Sequence, residues 1–255
     1  MVAGLMSGKR GLVMGVANDH SIAWGIAKTL SEHGAELAFT YQGDAFGRRV
    51  KPLAEEIGSD LLLPCDVEDA DSIAAVFDSL KKEWGSLDFL VHAIGFSDRS
   101  QLKGRYLDVT TRDNFSRTMV ISAYSFTEVA QHAAPLLNKG GSLLTLTYGG
   151  SMRVMPNYNV MGVAKAALEA SVRYLAVDLG PQGVRVNALL PGGTMTEMAG
   201  DDADFHAFVR GLHALKRMAA PEEIAAAAMF LLSDQSGFVT GTAMLADGGN
   251  SISKT

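Results

Sequence analysis

The chain has 255 residues, 47% of them hydrophobic, which is enough to bury the core of one large domain. Its formal net charge of −6 argues against a broad nucleic-acid-binding surface. No apolar run approaches the ~20 residues of a membrane span, and the first residues lack the charged start and apolar core of a secretory signal. The single cysteine, Cys65, excludes a disulfide framework, and no Cys/His cluster suggests a metal, so we expect a cytoplasmic protein without a bound metal.

Short apolar strands alternate with amphipathic helices along nearly the whole chain. The predicted strands span 10–15, 36–41, 60–65, 87–93, 142–147, 184–190 and 242–246. The predicted helices span 21–33, 46–57, 70–84, 112–134 and 157–179. This alternation predicts an α/β fold of the Rossmann-like, doubly wound type, with one seven-stranded parallel sheet and helices on both faces.

Residues that could bind a ligand follow the carboxyl ends of the predicted strands. In parallel sheets of this kind, ligands bind beyond those ends, near the point where the strand order reverses. The residues at these positions are Gly15, Gln42, Asp66, Gly95, Tyr148 and the pair Pro191-Gly192. We therefore expect one ligand crevice along this edge of the sheet.

The loop between the first strand and the first helix is a candidate phosphate site. Gly15 lets the backbone turn and approach a ligand closely. Ser21 is the expected cap of the next helix, whose free N–H groups and positive dipole end suit a pyrophosphate. The loop does not match G-x-G-x-x-G, because Gly15 is followed by Val-Ala-Asn-Asp-His. By itself it is also compatible with an ordinary connection from strand to helix.

Tyr158 and Lys165 are candidates for a shared catalytic site. Their spacing of seven residues brings a helix to within about 20° of two full turns, so both side chains would leave one face, roughly 10 Å apart. An ammonium near a phenol favours the phenolate, so we expect the pKa of Tyr158 to fall below ~10 and the phenol to act as an acid. The alternative is a buried tyrosine and a surface lysine.

Beyond these separate features, the chain resembles the short-chain dehydrogenases/reductases, and within them it is similar to the bacterial enoyl-acyl-carrier-protein reductases. The resemblance runs from about Lys9 to Asp247. The matching segments are GVANDHSIAWG (15–25), TYQ (40–42), CDV (65–67), HAIGF (92–96), Tyr148, PNYNVMGVAK (156–165) and GVRVN (183–187). In that family the first loop, with its longer gap before Ser-Ile-Ala, replaces the standard glycine fingerprint.

The resemblance implies an NADH site whose residues carry over by position. They are Gly15, Ser21 and Ile22 at the pyrophosphate, Asp66 and Val67 at the adenine, Gly95 at the adenosine ribose, Lys165 at the nicotinamide ribose, and Thr196 at the carboxamide. Gln42, at the end of the second strand, can bond a ribose hydroxyl but offers no positive charge to a 2′-phosphate. We therefore expect NADH to be preferred over NADPH, unless Arg48 and Arg49 reach back from the next helix.

The resemblance also implies the reaction and the partner. An enoyl thioester on acyl carrier protein would be reduced at its 2,3 double bond, and negative charge would develop on the thioester oxygen. Tyr158 would donate a hydrogen bond to that oxygen, in the manner of donors aimed at developing charge. Tyr148 would line the substrate site, although ordinary packing at the strand end is an alternative for it.

Several positions keep other functions open. The segment LPGGTMT (190–196) is closer to ordinary ketoreductases, and LADGG (245–249) looks like the broader superfamily. Thr145 stands thirteen residues before Tyr158, where ketoreductases place a catalytic serine. Ile121 and Ser122 occupy the position of a ketoreductase asparagine, which favours the enoyl substrate. A carbonyl reductase for a 3-oxoacyl thioester or a hydroxysteroid-like alcohol remains one alternative. A nucleotide sensor without turnover is another, against which the intact Tyr158 and Lys165 argue.

Two expectations concern larger parts of the chain. By resemblance, helices 112–134 and 157–179 form a four-helix subunit interface, so we expect a homotetramer. The segment 196–214 is expected to be a mobile lid over the acyl chain within one domain of residues 1–255. The apolar residues expected at the subunit interface are Met119, Tyr124, Phe126, Ala166, Ala170 and Tyr174, and those at helical spacing in the lid are Phe205, Phe208, Val209 and Leu212.

Overall fold

The computed structural model describes residues 4–195 and 203–253, with the side chain of Phe205 excepted. In this part of the chain, seven parallel strands form one sheet, which confirms the predicted fold. The strands are β1 (Arg10–Met14), β2 (Glu36–Tyr41), β3 (Leu61–Pro64), β4 (Leu87–His92), β5 (Leu137–Leu146), β6 (Arg185–Pro191) and β7 (Ala243–Ala246). Their order is β3-β2-β1-β4-β5-β6-β7, so the strand order reverses between β1 and β4.

Helices pack on both faces of this sheet. They are α1 (Ile22–Glu32), α2 (Gly43–Glu56), α3 (Ala70–Glu83), α4 (Tyr106–Val109), α5 (Arg112–Met119), α6 (Ser125–Ala133), α7 (Val160–Leu179), α8 (Ala203–Leu212) and α9 (Pro221–Leu232). One core packs the sheet against α3, α6 and α7, and the other packs it against α1, α2 and α9. Successive strand residues alternate between the two cores, as Leu143 and Leu144 do, because side chains along a strand point to opposite faces.

The predicted helix 112–134 is interrupted, so the expectation of one continuous helix was wrong. A π-helical segment, Val120–Tyr124, separates α5 from α6. The Ser122 hydroxyl accepts a hydrogen bond from the Phe96 N–H at 2.9 Å and lies 3.0 Å from its carbonyl oxygen, and the Ser125 hydroxyl donates to the Ile121 carbonyl at 2.6 Å. Local hydroxyl bonds of this kind compete with regular helical bonding, and π segments often occur beside functional sites.

The helix predicted for 157–179 begins later than expected. α7 starts at Val160, and Asn159 has φ 38° and ψ −118°, which no α-helix allows. Tyr158 therefore lies in the turn before the helix, whereas Lys165 lies within it. The expectation that both side chains leave one helical face is wrong, because that argument needs Tyr158 to be helical.

The residues expected at a subunit interface differ in exposure. Phe126 is fully buried in the core of its own chain, so it has no apolar surface left for a partner. Its assignment to the interface was wrong, because in α6 its side chain faces the sheet. Of the others, Tyr124, Ala166 and Tyr174 are exposed, and Met119 and Ala170 are half-buried.

The segment predicted as a lid is only partly described. Residues 196–202, including Thr196, lie outside the described residues. From Ala203 onward the chain is helical, as the apolar spacing predicted, and Phe208 is exposed whereas Val209 is half-buried. Across 4–195 and 203–253, no helix is long and apolar enough to cross a membrane.

Candidate functional site

A cavity of about 380 Å³ opens beyond the carboxyl ends of β1, β2, β3 and β4, beside the switch point. This is the position at which open parallel sheets bind ligands, and the volume falls within the usual range for small-molecule sites. Five of the predicted cofactor residues line it, namely Gly15, Gln42, Asp66, Val67 and Gly95. Of the other residues predicted to bind the cofactor, Ser21, Ile22 and Lys165 do not line this cavity.

Gln42 and Asp66 face each other in this cavity. The Gln42 amide donates to one carboxylate oxygen of Asp66 at 3.1 Å, and the Glu68 N–H donates to the other at 3.0 Å. The Asp66 N–H in turn donates to the Ser72 hydroxyl at 2.9 Å. These bonds fix an amide and a carboxylate at the mouth of the cavity, where they can accept from and donate to ribose hydroxyls or adenine edges.

Charge beside the cavity is largely neutralised. Arg117, which no sequence motif indicated, lines the cavity, and its guanidinium makes two-pronged contact with Glu68 at 2.8 and 2.7 Å. It also stacks 4.6 Å from the centre of the Phe96 ring. Arg48 and Arg49 are exposed on α2 and do not line the cavity. The described residues thus offer little free positive charge for a 2′-phosphate.

The loop after β1 has the geometry expected of a phosphate site. Gly15 has φ 94°, and a side chain there would meet the Ala93 carbonyl oxygen at 2.1 Å, so only glycine fits. Ser21 is the N-cap of α1, as predicted; its hydroxyl accepts from the Trp24 N–H at 3.3 Å and donates to the Asn18 carbonyl at 2.7 Å. Ile22 is the first helical residue. An anion placed here would meet free backbone N–H groups at the positive end of α1.

Lys165 lies behind the inner wall of the cavity. It is only 7% exposed, and its ammonium donates to the Leu146 carbonyl at 2.8 Å. A Cβ placed on Gly95 would lie 3.7 Å from the Lys165 Nζ, so the missing side chain of Gly95 leaves the ammonium next to the cavity. Burial lowers the pKa of Lys165 to about 8, against the opposing effect of Glu169.

Tyr158 packs against Tyr148, with ring centroids 5.0 Å apart and planes 60° apart. A side chain on Gly150 would come within 2.4 Å of the Tyr158 ring, so glycine there makes room for the phenol. Burial, followed by the neighbouring Tyr148, raises the pKa of Tyr158. The expected lowering by Lys165 was wrong, because that ammonium is bonded to the Leu146 carbonyl and the phenol is mostly desolvated. Tyr158 is therefore a protonated donor at neutral pH.

Burial raises the pKa of Tyr148 as well, although the nearby Arg153 opposes that effect. Arg153 bonds the Asn250 carbonyl at 3.2 Å and the Asn250 side-chain oxygen at 2.7 Å. The turn that carries Tyr148 is thereby tied to the end of the described chain. The sequence carried no signal for this contact, since Asn250 is 97 residues away.

Thr145, the residue that kept a carbonyl substrate open, is fully buried. Its hydroxyl donates to the His92 carbonyl at 3.1 Å and lies 3.1 Å from His92 Nδ1. Burial, followed by the charge of Lys165, lowers the pKa of His92 to about 3, so this imidazole is neutral. With its hydroxyl engaged in the core, Thr145 is not placed to bond a ketone substrate.

Cys65 also lines the cavity, where a reactive thiol would matter. Burial, followed by Asp66 and Asp69, raises the pKa of its thiol to about 11, and the side chain is 6% exposed. Thiols react as thiolates, so this one is a packing group, as the sequence predicted. Within the described ranges, no group of three or more His, Cys, Asp or Glu side chains could hold a metal ion.

The strand order and the cavity at the switch point are those of a Rossmann-like fold, and together with the relatives described below they place the chain among oxidoreductases of the short-chain dehydrogenase/reductase type. A family model described as Enoyl-(Acyl carrier protein) reductase matches residues 15–251. The chain therefore belongs to that family.

Individual relatives support the same family assignment. The chain is 62% identical over 252 residues to "Enoyl-[acyl-carrier-protein] reductase [NADH] 2" of Rhizobium meliloti, covering 98% of this chain and 94% of that protein. A solved enoyl-(acyl-carrier-protein) reductase from Anaplasma phagocytophilum, in complex with NAD, superposes with a TM-score of 0.92 at 49% identity and covers 100% and 96% of the two chains. The Bacillus cereus enoyl-acyl carrier protein reductase, solved with NADP+, superposes with a TM-score of 0.94 at 45% identity and covers 99% and 100%.

Proposed function

We propose that this protein reduces the 2,3 double bond of an enoyl thioester carried on acyl carrier protein, with NADH as the reductant, in fatty acid biosynthesis. One observation carries the proposal beyond family membership. The Tyr158 ring packs at a tilt against the Tyr148 ring just before α7, the helix that carries Lys165, whereas the Thr145 hydroxyl is engaged in the core. The tyrosine hydroxyls are thus left to donate to a thioester oxygen. The Thr145 hydroxyl, which a ketoreductase would use, is already bonded.

The described residues fit NADH, which supplies the hydride when bound. The cavity offers Asp66 and Val67 for the adenine, Gln42 as a ribose partner, and a close backbone approach at Gly15. Ser21 and Ile22, at the start of α1, would hold the pyrophosphate, and Lys165 the nicotinamide ribose. Thr196, assigned to the carboxamide, lies outside the described residues.

Tyr158 is the proposed catalytic donor. As C3 of the substrate is reduced, negative charge develops on the thioester oxygen, and a phenol with a raised pKa is fully protonated to donate to it. Preorganised donors of this kind are usually the largest single contribution to a rate enhancement. Lys165 keeps the adjacent ribose in place, and Tyr148 lines the acyl site.

The substrate is tested by comparing crotonyl and acetoacetyl thioesters with NADH under identical conditions. We expect turnover of the crotonyl thioester and at most marginal oxidation of NADH with the acetoacetyl thioester. The opposite preference would establish a carbonyl reductase. Tight NADH binding without turnover of either substrate would establish a nucleotide sensor.

The coenzyme is tested by measuring kcat/KM for NADH and NADPH with the same enoyl thioester. We expect NADH to be preferred, because Gln42 is neutral and Arg117 is paired with Glu68. Equal or better kcat/KM with NADPH would mean that Arg48 and Arg49 do reach the cofactor. The variant Arg48→Ala would then be expected to restore the preference for NADH.

We also propose that the protein is a homotetramer in the cytoplasm. On the outer face of α7, Tyr174 and Val177 are both 76% exposed, and Tyr124 is 50% exposed. Apolar side chains grouped on one surface are typical of subunit contacts. Light scattering should give a mass near four chains at micromolar concentration, and Tyr174→Asp should lower it. A monomeric wild-type protein would contradict the assignment.

The segment 196–214 is proposed to act as a lid over the acyl chain. The residue that follows its helix is tied to the loop after β6, because the Gly193 N–H donates to His213 Nε2 at 3.1 Å. Closure here would exclude water from the hydride step. Hydrogen exchange in the segment should slow when cofactor and an enoyl analogue are both bound. Equal, high protection with and without ligands would assign the segment to the core.

A further inference from the structure

The residue after Tyr158 has an unusual backbone conformation. Asn159 has φ 38° and ψ −118°, near the values of about +60° and −120° at the second position of a type II′ turn. The Met161 N–H donates to the Tyr158 carbonyl at 3.0 Å and closes that turn. Tyr158 is thus the first residue of a tight turn, and the direction of its side chain depends on the turn that Asn159 makes.

The side chain of Asn159 reaches across to a different part of the chain. Its amide nitrogen donates to the Gln101 carbonyl at 3.0 Å and to the Gly104 carbonyl at 3.3 Å. Both acceptors lie in the loop between β4 and α4. Asparagine combines two properties here, since it tolerates positive φ and provides two amide hydrogens; glycine has only the first, and alanine has neither.

The loop that accepts these bonds is itself anchored. The Gln101 side-chain oxygen accepts from the Thr111 N–H at 3.0 Å, and its amide nitrogen donates to the Thr111 hydroxyl at 3.1 Å. Thr111 is the N-cap of α5, where its hydroxyl accepts from the Asn114 N–H at 3.3 Å. Asn159 therefore connects the Tyr158 turn to the start of α5, through a loop whose Gln101 side chain bonds the N-cap of that helix.

We propose that Asn159 is a positioning residue for the reaction: it places the Tyr158 phenol by holding the type II′ turn and by tying that turn to Gln101 and Gly104. The inference rests on the proposed role of Tyr158 as the donor to the thioester oxygen. Errors of about 1 Å in the placement of a catalytic group can cost ~10²-fold in rate. Loss of the tie should therefore lower kcat while leaving the cofactor cavity, and hence the KM for NADH, unchanged.

The first experiment compares Asn159→Asp with Asn157→Asp, both assayed with crotonyl thioester and NADH. Asn157 is the matched control, because it also has positive φ (56°) and adjoins Tyr158, but it makes no side-chain hydrogen bond to other residues in the described ranges. A carboxylate at 159 cannot donate to the two carbonyls and would repel them. We expect kcat to fall at least tenfold in Asn159→Asp and less than twofold in Asn157→Asp, with the KM for NADH within twofold in both.

The second experiment separates positioning from simple structural support. If Asn159 acts through the phenol, Asn159→Asp should cost less than twofold when added to Tyr158→Phe. An equal loss in both backgrounds would overturn the inference and leave the proposed function intact. A Tyr158→Phe enzyme with wild-type turnover would instead overturn the assignment of Tyr158 as donor.

Asn159→Gly tests the same positioning role if Asn159→Asp does not fold. Glycine adopts the turn without strain but lacks the amide, so the protein should fold while kcat still falls. Amide exchange at Gln101 through Gly104 should then be faster than in the wild type. Wild-type kcat in a folded Asn159→Gly would show that the tie does not position Tyr158.

Discussion

The proposed site has a cofactor end and a reaction end, and the two are built in different ways. At the cofactor end, Gly15, Gln42 and Asp66 follow directly from the carboxyl ends of parallel strands, and the sheet itself brings them together. At the reaction end, Tyr158 lies outside any regular element, in a turn held by Asn159. The binding end is thus fixed by the topology of the sheet, whereas the reaction end depends on a few side-chain hydrogen bonds. Substitutions at the reaction end should therefore change kcat far more than the affinity for cofactor.

The largest effect is expected at the phenol. Tyr158→Phe removes the proposed donor to the thioester oxygen and keeps the ring that packs against Tyr148, so the fold should be preserved. Loss of one such donor typically costs ~10²–10³ in rate. Steady-state kinetics should show that loss in kcat, with the KM for NADH little changed. Tyr148→Phe, which leaves Tyr158 intact, serves as the control and should lose much less.

A smaller effect, with a distinct pH signature, is expected at Lys165. Lys165→Met should lower kcat/KM for NADH by more than tenfold, because the ammonium next to Gly95 is proposed to hold the nicotinamide ribose. In the wild type, kcat/KM should fall as the pH rises through about 8, the lowered pKa of this buried lysine. The residual kcat/KM of Tyr158→Phe should fall over the same pH range, since the titrating group is the lysine and not the phenol.

The titration of Lys165 itself does not destabilise the folded protein over this pH range. Between pH 8 and the ordinary lysine value of 10.5, the unfolded chain keeps a proton at Lys165 that the folded protein has lost. The unfolded state therefore binds more protons, and this group makes the free energy of unfolding rise with pH across that window. Thermal melts should show no loss of stability from this residue where activity falls. A fall in activity that tracks a falling melting temperature would contradict the assignment.

The contrast between the two ends also explains which structural features could be predicted from the sequence. The cap at Ser21 and the strand-end positions of Gln42 and Asp66 depend on residues close in the chain, and they were predicted correctly. The turn at Tyr158 was missed because a helical pattern continues through it, and its stabilising contacts lie in the distant loop at Gln101.

The pKa of Tyr158 could not be predicted from spacing either. Proximity to Lys165 in sequence suggested an ammonium beside the phenol, but the direction of the shift depends on burial and on where that ammonium bonds. Similarly, the π segment at Ser122 depends on its bonds to the backbone of Phe96, 26 residues away. The sequence supplied the candidate residues of the site, and long-range contacts determine their geometry.

The smallest effect on turnover is expected at Thr145, where the two oxidoreductase hypotheses disagree most directly. Thr145→Val removes a hydroxyl that is fully buried between the carbonyl and the Nδ1 of His92, and it leaves both without this partner. Unsatisfied buried groups cost about 1–3 kcal/mol, so the free energy of unfolding should fall by that amount in chemical denaturation. Thr145→Ser keeps the hydroxyl and should recover most of the loss.

Turnover of the crotonyl thioester should stay within threefold of the wild type in both variants, because the hydroxyl bonds the core and not the substrate. A carbonyl reductase predicts the reverse pattern, in which valine abolishes turnover, serine restores it, and stability hardly changes. That pattern would extend the crevice as far as Thr145 and would make the reaction end, like the cofactor end, a site built on a strand.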